Sequence, residues 1–252
     1  MASLVHVMRP FISDLYGTIK SVDDPEQPSH APRGCAWSSQ VRTSTTWIKA
    51  FLLLHKEGIT RVFSLNTFLN IGTPVEVYLD ASPWGIGGFI TVAGKPVSWF
   101  ADRYTPEDVA ILKITIGDCS YQQVGECLSI LASLRAWAQH WKQDGCLLTI
   151  HADNMTALTM TDSLKSSTAV INMLTREMAL VFGDSTHRPA HRTHVPGVAN
   201  KVADTLSRRY QDSKVIFKTP EILQGVDELV LPTRDASYYR SRCVNGPLND
   251  PH

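Results

Sequence analysis

The chain has 252 residues, 43% of them hydrophobic, which is enough for one sizeable core with appendages. Its 24 Lys and Arg balance 24 Asp and Glu, so the composition excludes a uniformly basic protein that binds nucleic acid by net charge alone. The five cysteines are odd in number and form no C-x-x-C pair, which argues against a disulfide framework or a zinc site and for a reducing, intracellular setting, cytoplasm or nucleus.

Residues 1–17 lack the basic start and continuous apolar run of a secretion signal. The longest apolar stretch, residues 47–54, is interrupted by Lys49 and falls short of the about 20 residues a bilayer span needs, so no membrane partner is expected.

Along the chain, Phe11, Ile12, Leu15 and Ile19 are spaced for a short helix after Pro10. Residues 23–34 (DDPEQPSHAPRG) read as an exposed loop or linker. The pair Asp23 and Asp24 is rejected as a metal site, because Pro25 and Pro28 come after it and no paired apolar strands support it. A helix is predicted over residues 46–55 from Trp47, Phe51, Leu52 and Leu54, with KEG at 56–58 as its stop. These elements are too few for a core of their own and should pack against the remainder of the chain.

Residues 75–92 (VEVYLDASPWGIGGFITV) are the best-patterned stretch. Val75, Val77 and Leu79 alternate with Glu76, Tyr78 and Asp80, the period of a strand with one packed face, and Asp80 lies on the other. Pro83, Gly85, Gly87 and Gly88 are expected to turn the chain and let a polyanionic backbone come close. A second strand over 88–92 returns through Ala93-Gly94-Lys95 to a third over 96–100. Pro106, Glu107 and Asp108 mark a helix start, but the β-branched residues of 101–118 leave that element open.

From Ser120 a helix is predicted, carried by Leu128, Ile130, Leu131, Leu134, Trp137 and Trp141 and stopped by DG at 144–145. Glu126 is in phase with 130, 134, 137 and 141. A charge at the head of an apolar stripe either snorkels to solvent or serves a site.

Residues 146–152 (CLLTIHA) form the next predicted strand, ending on Asp153. That acid either caps the helix over 154–164 or emerges beside Asp80 at one sheet edge. Ser167 is a cap for the next helix, whose Ile171, Leu174, Met178 and Phe182 form a core stripe. A loop over 183–190 leads to a last strand over 190–195. His187, Arg188, His191, Arg192 and His194 there suit a solvated edge touching phosphates better than a zinc site. Asn200 can cap a helix over 201–210 that carries Asp204 in its first turn, where an acid complements the helix dipole. Residues 211–252 hold two short apolar pieces, 215–222 and 226–231, among four prolines, and read as a mostly irregular extension.

Four acids thus occur in a fixed order: strand-end Asp80, helix-face Glu126, strand-end Asp153 and first-turn Asp204. In this order, and in the motifs LDASPWGIGG, VGECLSILASL, IHADN and THVPGVANKVADTLSRR, the chain resembles the ribonuclease H domain of retroelement reverse transcriptases. The resemblance divides the chain into a remnant of the polymerase thumb or connection segment (1–72), a ribonuclease H-like domain (73–210) and the extension (211–252).

It implies an α/β, ribonuclease H-like fold: a mixed five-stranded sheet flanked by helices. It implies further that the four acids hold two Mg²⁺ ions, with Mn²⁺ as a substitute, and cut the RNA strand of an RNA-DNA hybrid. The polymerase domain of the same polyprotein is an implied partner. Trp84, Gly85, Asn154, Asn200, Lys201 and Arg208 are the implied nucleic-acid contacts.

Hard oxygen ligands suit these ions, and with the four acids set aside residues 75–210 carry 12 basic groups against 9 acidic. One departure is the short Pro196-Gly197-Val198-Ala199, where many cellular relatives carry a histidine in a mobile loop. Two other readings stand beside the nuclease: a catalytically inactive remnant serving as a structural or hybrid-binding module, and a transposase or integrase of the same broad fold.

Overall fold

The computed structural model describes residues 6–12, 15, 18, 32, 35, 37–54, 65–69, 71–141, 146–166, 168–183, 191–197, 199–212 and 216–239. The first described stretch is a helical segment at 6–12, which already contains Pro10 rather than starting after it. Then come α1 (Ser38–Leu54), longer than its apolar pattern suggested, and the short α2 (Leu65–Phe68). Val7, Phe11 and Trp47 join the main core, with the Phe11 and Trp47 rings 4.6 Å apart, so this region packs onto the sheet domain as expected. Ile19, the loop at 23–34 apart from Pro32, the KEG and DG stops, the Ser167 cap and the loop at 184–190 lie outside the described residues.

The sheet has five strands in the order β3-β2-β1-β4-β5. Central β1 (Thr73–Ser82) pairs antiparallel with β2 (Gly85–Val92), which pairs antiparallel with β3 (Lys95–Arg103). On its other side β1 runs parallel to β4 (Cys146–Ala152), and β4 parallel to the edge strand β5 (His191–His194).

β1 does not stop at Asp80. It continues through Ser82, and only Pro83 and Trp84 make the turn. Gly85, Gly87 and Gly88, expected in that turn, are buried inside β2 instead. Their missing side chains serve packing: a Cβ at Gly88 would meet the Leu79 side chain at 2.5 Å, and one at Gly85 the Asp102 carbonyl at 2.2 Å. The second hairpin turns at Ala93 and Gly94, whose φ of 49° and 77° are those of a two-residue turn matched to strand twist.

The helices arise from local chemistry. α3 (Pro106–Leu112) resolves the ambiguous stretch after β3. Thr105 and Asp108 form a capping box, Pro106 opens the first turn, and Lys113 closes the helix in the left-handed region. After a single 3₁₀ turn, Cys119–Tyr121, comes α4 (Gln122–Ala136). The helix predicted through residue 141 breaks at Trp137, which is buried against Phe100, and resumes as α5 (Ala138–Trp141).

α6 (Met155–Ser163) is capped by Asn154, whose Oδ1 accepts the Ala157 amide at 3.0 Å; Asp153 is therefore not the cap. α7 (Ala169–Gly183) buries Ile171, Leu174, Met178 and Phe182 as its stripe predicted. α8 (Lys201–Ser207) ends three residues short of expectation, in a turn at 208–210.

Two apolar clusters hold these layers together. Val75, Val77, Leu79 and Ala81 on one face of β1 share the main core with Leu128, Ile130, Leu131 and Leu134 of α4 and with Leu174 and Met178 of α7. The other face of β1 contributes Tyr78 to a smaller cluster of Phe89, Trp99, Ala101, Leu206 and Leu223, which seats α8 on the sheet. A fully buried leucine or isoleucine stabilises by roughly 1.5–3 kcal/mol, so the main core dominates and α8 rests on the smaller share.

Residues 216–239 are largely irregular and mostly exposed, anchored by buried Leu223, Arg234 and Tyr239. They run along the outer edge of β3, where Trp99 donates its amide to Asp227 and accepts from the Leu229 amide. Among the described residues no helix is long and apolar enough to cross a membrane.

Candidate metal centre

Three of the four predicted acids converge. Asp80 from β1, Glu126 from the first turn-and-a-half of α4 and Asp153 from the end of β4 each offer a carboxylate oxygen, all within 4.8 Å of one another. The parallel pairing of β1 and β4 explains the first half of this. Strands running side by side in the same direction bring their ends, and the acids on them, to one edge.

Glu126 reaches the same point because α4 lies close on β1. Gly125 makes that approach possible: a Cβ there would come within 2.2 Å of the Tyr104 hydroxyl and 3.0 Å of the Ala81 side chain. Tyr104 in turn donates to the Ser82 carbonyl at 2.8 Å, tying β3 to the end of β1.

Glu126 does not snorkel. It is 0% exposed, and its Oε1 accepts the Ala81 amide at 3.0 Å. Its Oε2 is the one buried carboxylate oxygen, among the described residues, without a hydrogen-bond partner. Burial, followed by the charges of Asp80 and Asp153, pushes the Glu126 carboxyl well above its usual range. Asp80 is 3% exposed and is raised to about 7, first by burial and then by Asp153 and Asp204. The Ser207 hydroxyl opposes that rise, as does, more weakly, Arg208. Three crowded carboxylates with so little compensation form a strongly proton- or cation-seeking pocket.

Asp204 stands at the margin. Its side chain is 41% exposed, and its Oδ1 accepts Arg208 Nε at 2.6 Å. It lies outside the group of three, although its charge acts on Asp80.

α8 is sewn to the acid strand by polar contacts that the sequence pattern did not reveal. Ser207 Oγ donates to Asp80 Oδ2 at 2.7 Å, Ser82 Oγ donates to the Ser207 carbonyl at 2.7 Å, and Asn200 Nδ2 donates to the Leu79 carbonyl at 2.8 Å. Gly197 of the preceding loop lies beside Asp153, where a Cβ would stand 3.2 Å from Oδ2.

The six predicted nucleic-acid contacts divide. Trp84 is half-buried at the β1–β2 turn, and Lys201 is exposed on α8. Arg208 is engaged with Asp204. The others serve the fold: Gly85 is buried against β3, Asn154 spends its carbonyl oxygen on the α6 cap, and Asn200 is 3% exposed with its amide on Leu79. Asn200 sits at the N-cap position of α8 without a side-chain capping bond, so the capping role expected of it is not made.

The donor set could hold a metal ion. It is all oxygen and anionic, it comes from three separate elements held rigidly by the core, and it includes an orphaned buried oxygen that a cation would satisfy. Comparison with known proteins returned no matching family model, curated protein or solved structure.

Proposed function

We propose that the chain is a ribonuclease H-type endonuclease that hydrolyses the RNA strand of RNA-DNA hybrids, within a retroelement reverse transcriptase polyprotein. The observation that supports this best is the convergence of Asp80, Glu126 and Asp153, with Glu126 fully buried and one of its oxygens unpartnered. A carboxylate kept dry without a partner is costly, and a bound cation removes that cost.

The acids would hold two Mg²⁺ ions, with Mn²⁺ as an alternative. The chemistry such ions would supply is activation of a water and stabilisation of the departing oxygen in a phosphodiester displacement. The chain's own part is positional. Glu126 is anchored through Oε1 on the Ala81 amide and keeps Oε2 buried without a hydrogen-bond partner. Asp204, part exposed and paired with Arg208, would be the fourth acid to help hold the ions.

Trp84, half-buried, and Lys201, exposed, are the residues we propose for contact with the hybrid, and choice of RNA would come from contacts to 2′-hydroxyls across its shallow minor groove. Asp80→Asn removes one negative charge at the centre of the trio. It should slow cleavage of a labelled hybrid by on the order of 10³-fold, the several kcal/mol that metal-held charge contributes. Cutting by the parent in Mg²⁺ and none in EDTA is the expected result. A parent that binds Mg²⁺ and leaves the hybrid whole would favour the inactive-module reading, and Asp80→Asn cutting at the parent rate would remove Asp80 from the mechanism.

A further inference from the structure

We propose that Ser207 is a positioning residue for the acidic centre, fixing the plane of the Asp80 carboxylate through its hydroxyl. The inference rests on the metal-dependent reading above and names a residue outside the four acids.

Ser207 is 0% exposed, and its Oγ lies 2.7 Å from Asp80 Oδ2, the only hydrogen bond made to that side chain among the described residues. The same hydroxyl lies 2.9 Å from the Asp204 carbonyl. A hydroxyl has one proton to give, and an ionised carboxylate is the stronger acceptor, so the proton goes to Asp80 whenever Asp80 is charged. With Oδ2 held, the carboxylate cannot rotate, and its other oxygen is presented in one orientation.

The fold is arranged to bring this hydroxyl in. Gly87 is the residue paired with Asp80 across the β1–β2 ladder, and a Cβ on it would lie 2.4 Å from the Ser207 amide nitrogen and 2.6 Å from the Leu206 carbonyl carbon. Any side chain at 87 would push the end of α8 away from Asp80. Ser82 Oγ on the Ser207 carbonyl and Asn200 Nδ2 on the Leu79 carbonyl fasten α8 at both of its ends to the same strand. Ser207 thereby couples the helix that carries Asp204 to the strand that carries Asp80. Partners that orient a metal ligand in this way are typically worth about 10–100-fold in metal affinity or activity.

The test compares the full chain with Ser207→Ala, Ser207→Thr and Ser207→Cys, measuring Mg²⁺ binding by titration calorimetry and hybrid cleavage under saturating Mg²⁺. Circular dichroism in EDTA reports folding. Ser207→Ala is expected to weaken Mg²⁺ binding about tenfold or more and to lower kcat with KM for the hybrid unchanged, and Ser207→Thr, which keeps the hydroxyl, to recover most of the loss. If Ser207→Ala does not fold, Ser207→Cys, a weak donor of similar size, is read in its place and should show the same loss.

A folded Ser207→Ala or Ser207→Cys that matches the parent in both Mg²⁺ affinity and kcat overturns the positioning role while leaving the nuclease reading intact. A parent that binds no Mg²⁺ overturns the metal-dependent reading and the positioning role together.

Discussion

Two of the places where the molecule buries acid, Asp108 and the centre that holds Asp80 and Glu126, are resolved in opposite ways. Beneath the C-terminal strap, Asp108 is 0% exposed, yet Oδ2 accepts the Thr105 amide and Arg234 Nε, both at 2.9 Å, while Oδ1 accepts the Tyr239 hydroxyl. Arg234, itself 1% exposed, also reaches Asp102 at 2.6 Å and the Arg103 carbonyl at 2.7 Å. Every charge there has a partner supplied by the chain. At the centre formed by Asp80, Glu126 and Asp153 three carboxylates crowd together, and the cation that acts on Asp80, Arg208, is 42% exposed. The first arrangement is finished by folding and the second is left open, and that difference separates a structural ion pair from a binding site more sharply than burial alone.

Removing the cation from the closed cluster should have the largest effect. Arg234→Met leaves Asp108 buried without its ion partner and removes the strap's ion pair to Asp102 of β3, so unfolding in urea should show a loss of about 3–5 kcal/mol. A loss under about 1 kcal/mol would mean that the strap's ion pairs contribute little and that the contrast between the two clusters is false.

At the open centre the sign reverses. Glu126→Gln puts a permanently neutral group of the same shape beside Asp80 and Asp153, so in EDTA near pH 8 the variant should melt at or above the parent temperature, while its Mg²⁺-induced shift disappears.

The pH dependence has its origin in the same imbalance. Asp80 is raised to about 7 and Glu126 well above its normal range, so over the window from about 4 to 7 the folded state binds more protons than the unfolded chain. Their contribution to stability is present at low pH and is lost as pH rises through those folded values. Metal-free protein should therefore melt higher near pH 5 than near pH 8. Saturating Mg²⁺, which competes with those protons, should stabilise most at the alkaline end. A flat profile in EDTA would show that the three acids are already compensated.

Much of the open centre could be read from local pattern. Val75, Val77 and Leu79 set the phase of β1 and hence the face of Asp80. CLLTIHA marked a second strand ending on an acid, and the phase of Ile130, Leu134, Trp137 and Trp141 put Glu126 on the inward side of its helix. Periodicity reports which side of an element a residue occupies, and here that was nearly enough.

The closed cluster left no such trace. Arg234 meets Asp102 and Asp108 across more than a hundred residues, from a proline-punctuated stretch without period, and only the folded chain brings them together. Ser207 was hidden for a similar reason. Its partner is Asp80, and the feature that admits it is the absence of a side chain at Gly87, which in sequence reads as one more turn glycine. The two readings of Asp153, helix cap or neighbour of Asp80, were locally equivalent; in the fold it joins Asp80 and Glu126, and Asn154 makes the cap.

The smallest effect concerns the one cation that does stand beside the open centre. Arg208 and Asp204 form an i, i+4 pair with side chains 42% and 41% exposed, a geometry worth about 0.3–0.5 kcal/mol, so Arg208→Ala should hardly change the melting temperature. Its charge nevertheless acts on Asp80, favouring the ionised form. Without it the acids gain affinity for any cation, and Mg²⁺ should bind roughly twofold tighter at low salt, a gain that fades as ionic strength rises and screens the lost repulsion. If Arg208 also touches a hybrid phosphate, KM for the hybrid rises in the same variant while Mg²⁺ affinity improves. Opposite movements of these two constants would place Arg208 between the metal centre and the substrate, and a parallel weakening of both would make it a structural partner of Asp204 alone.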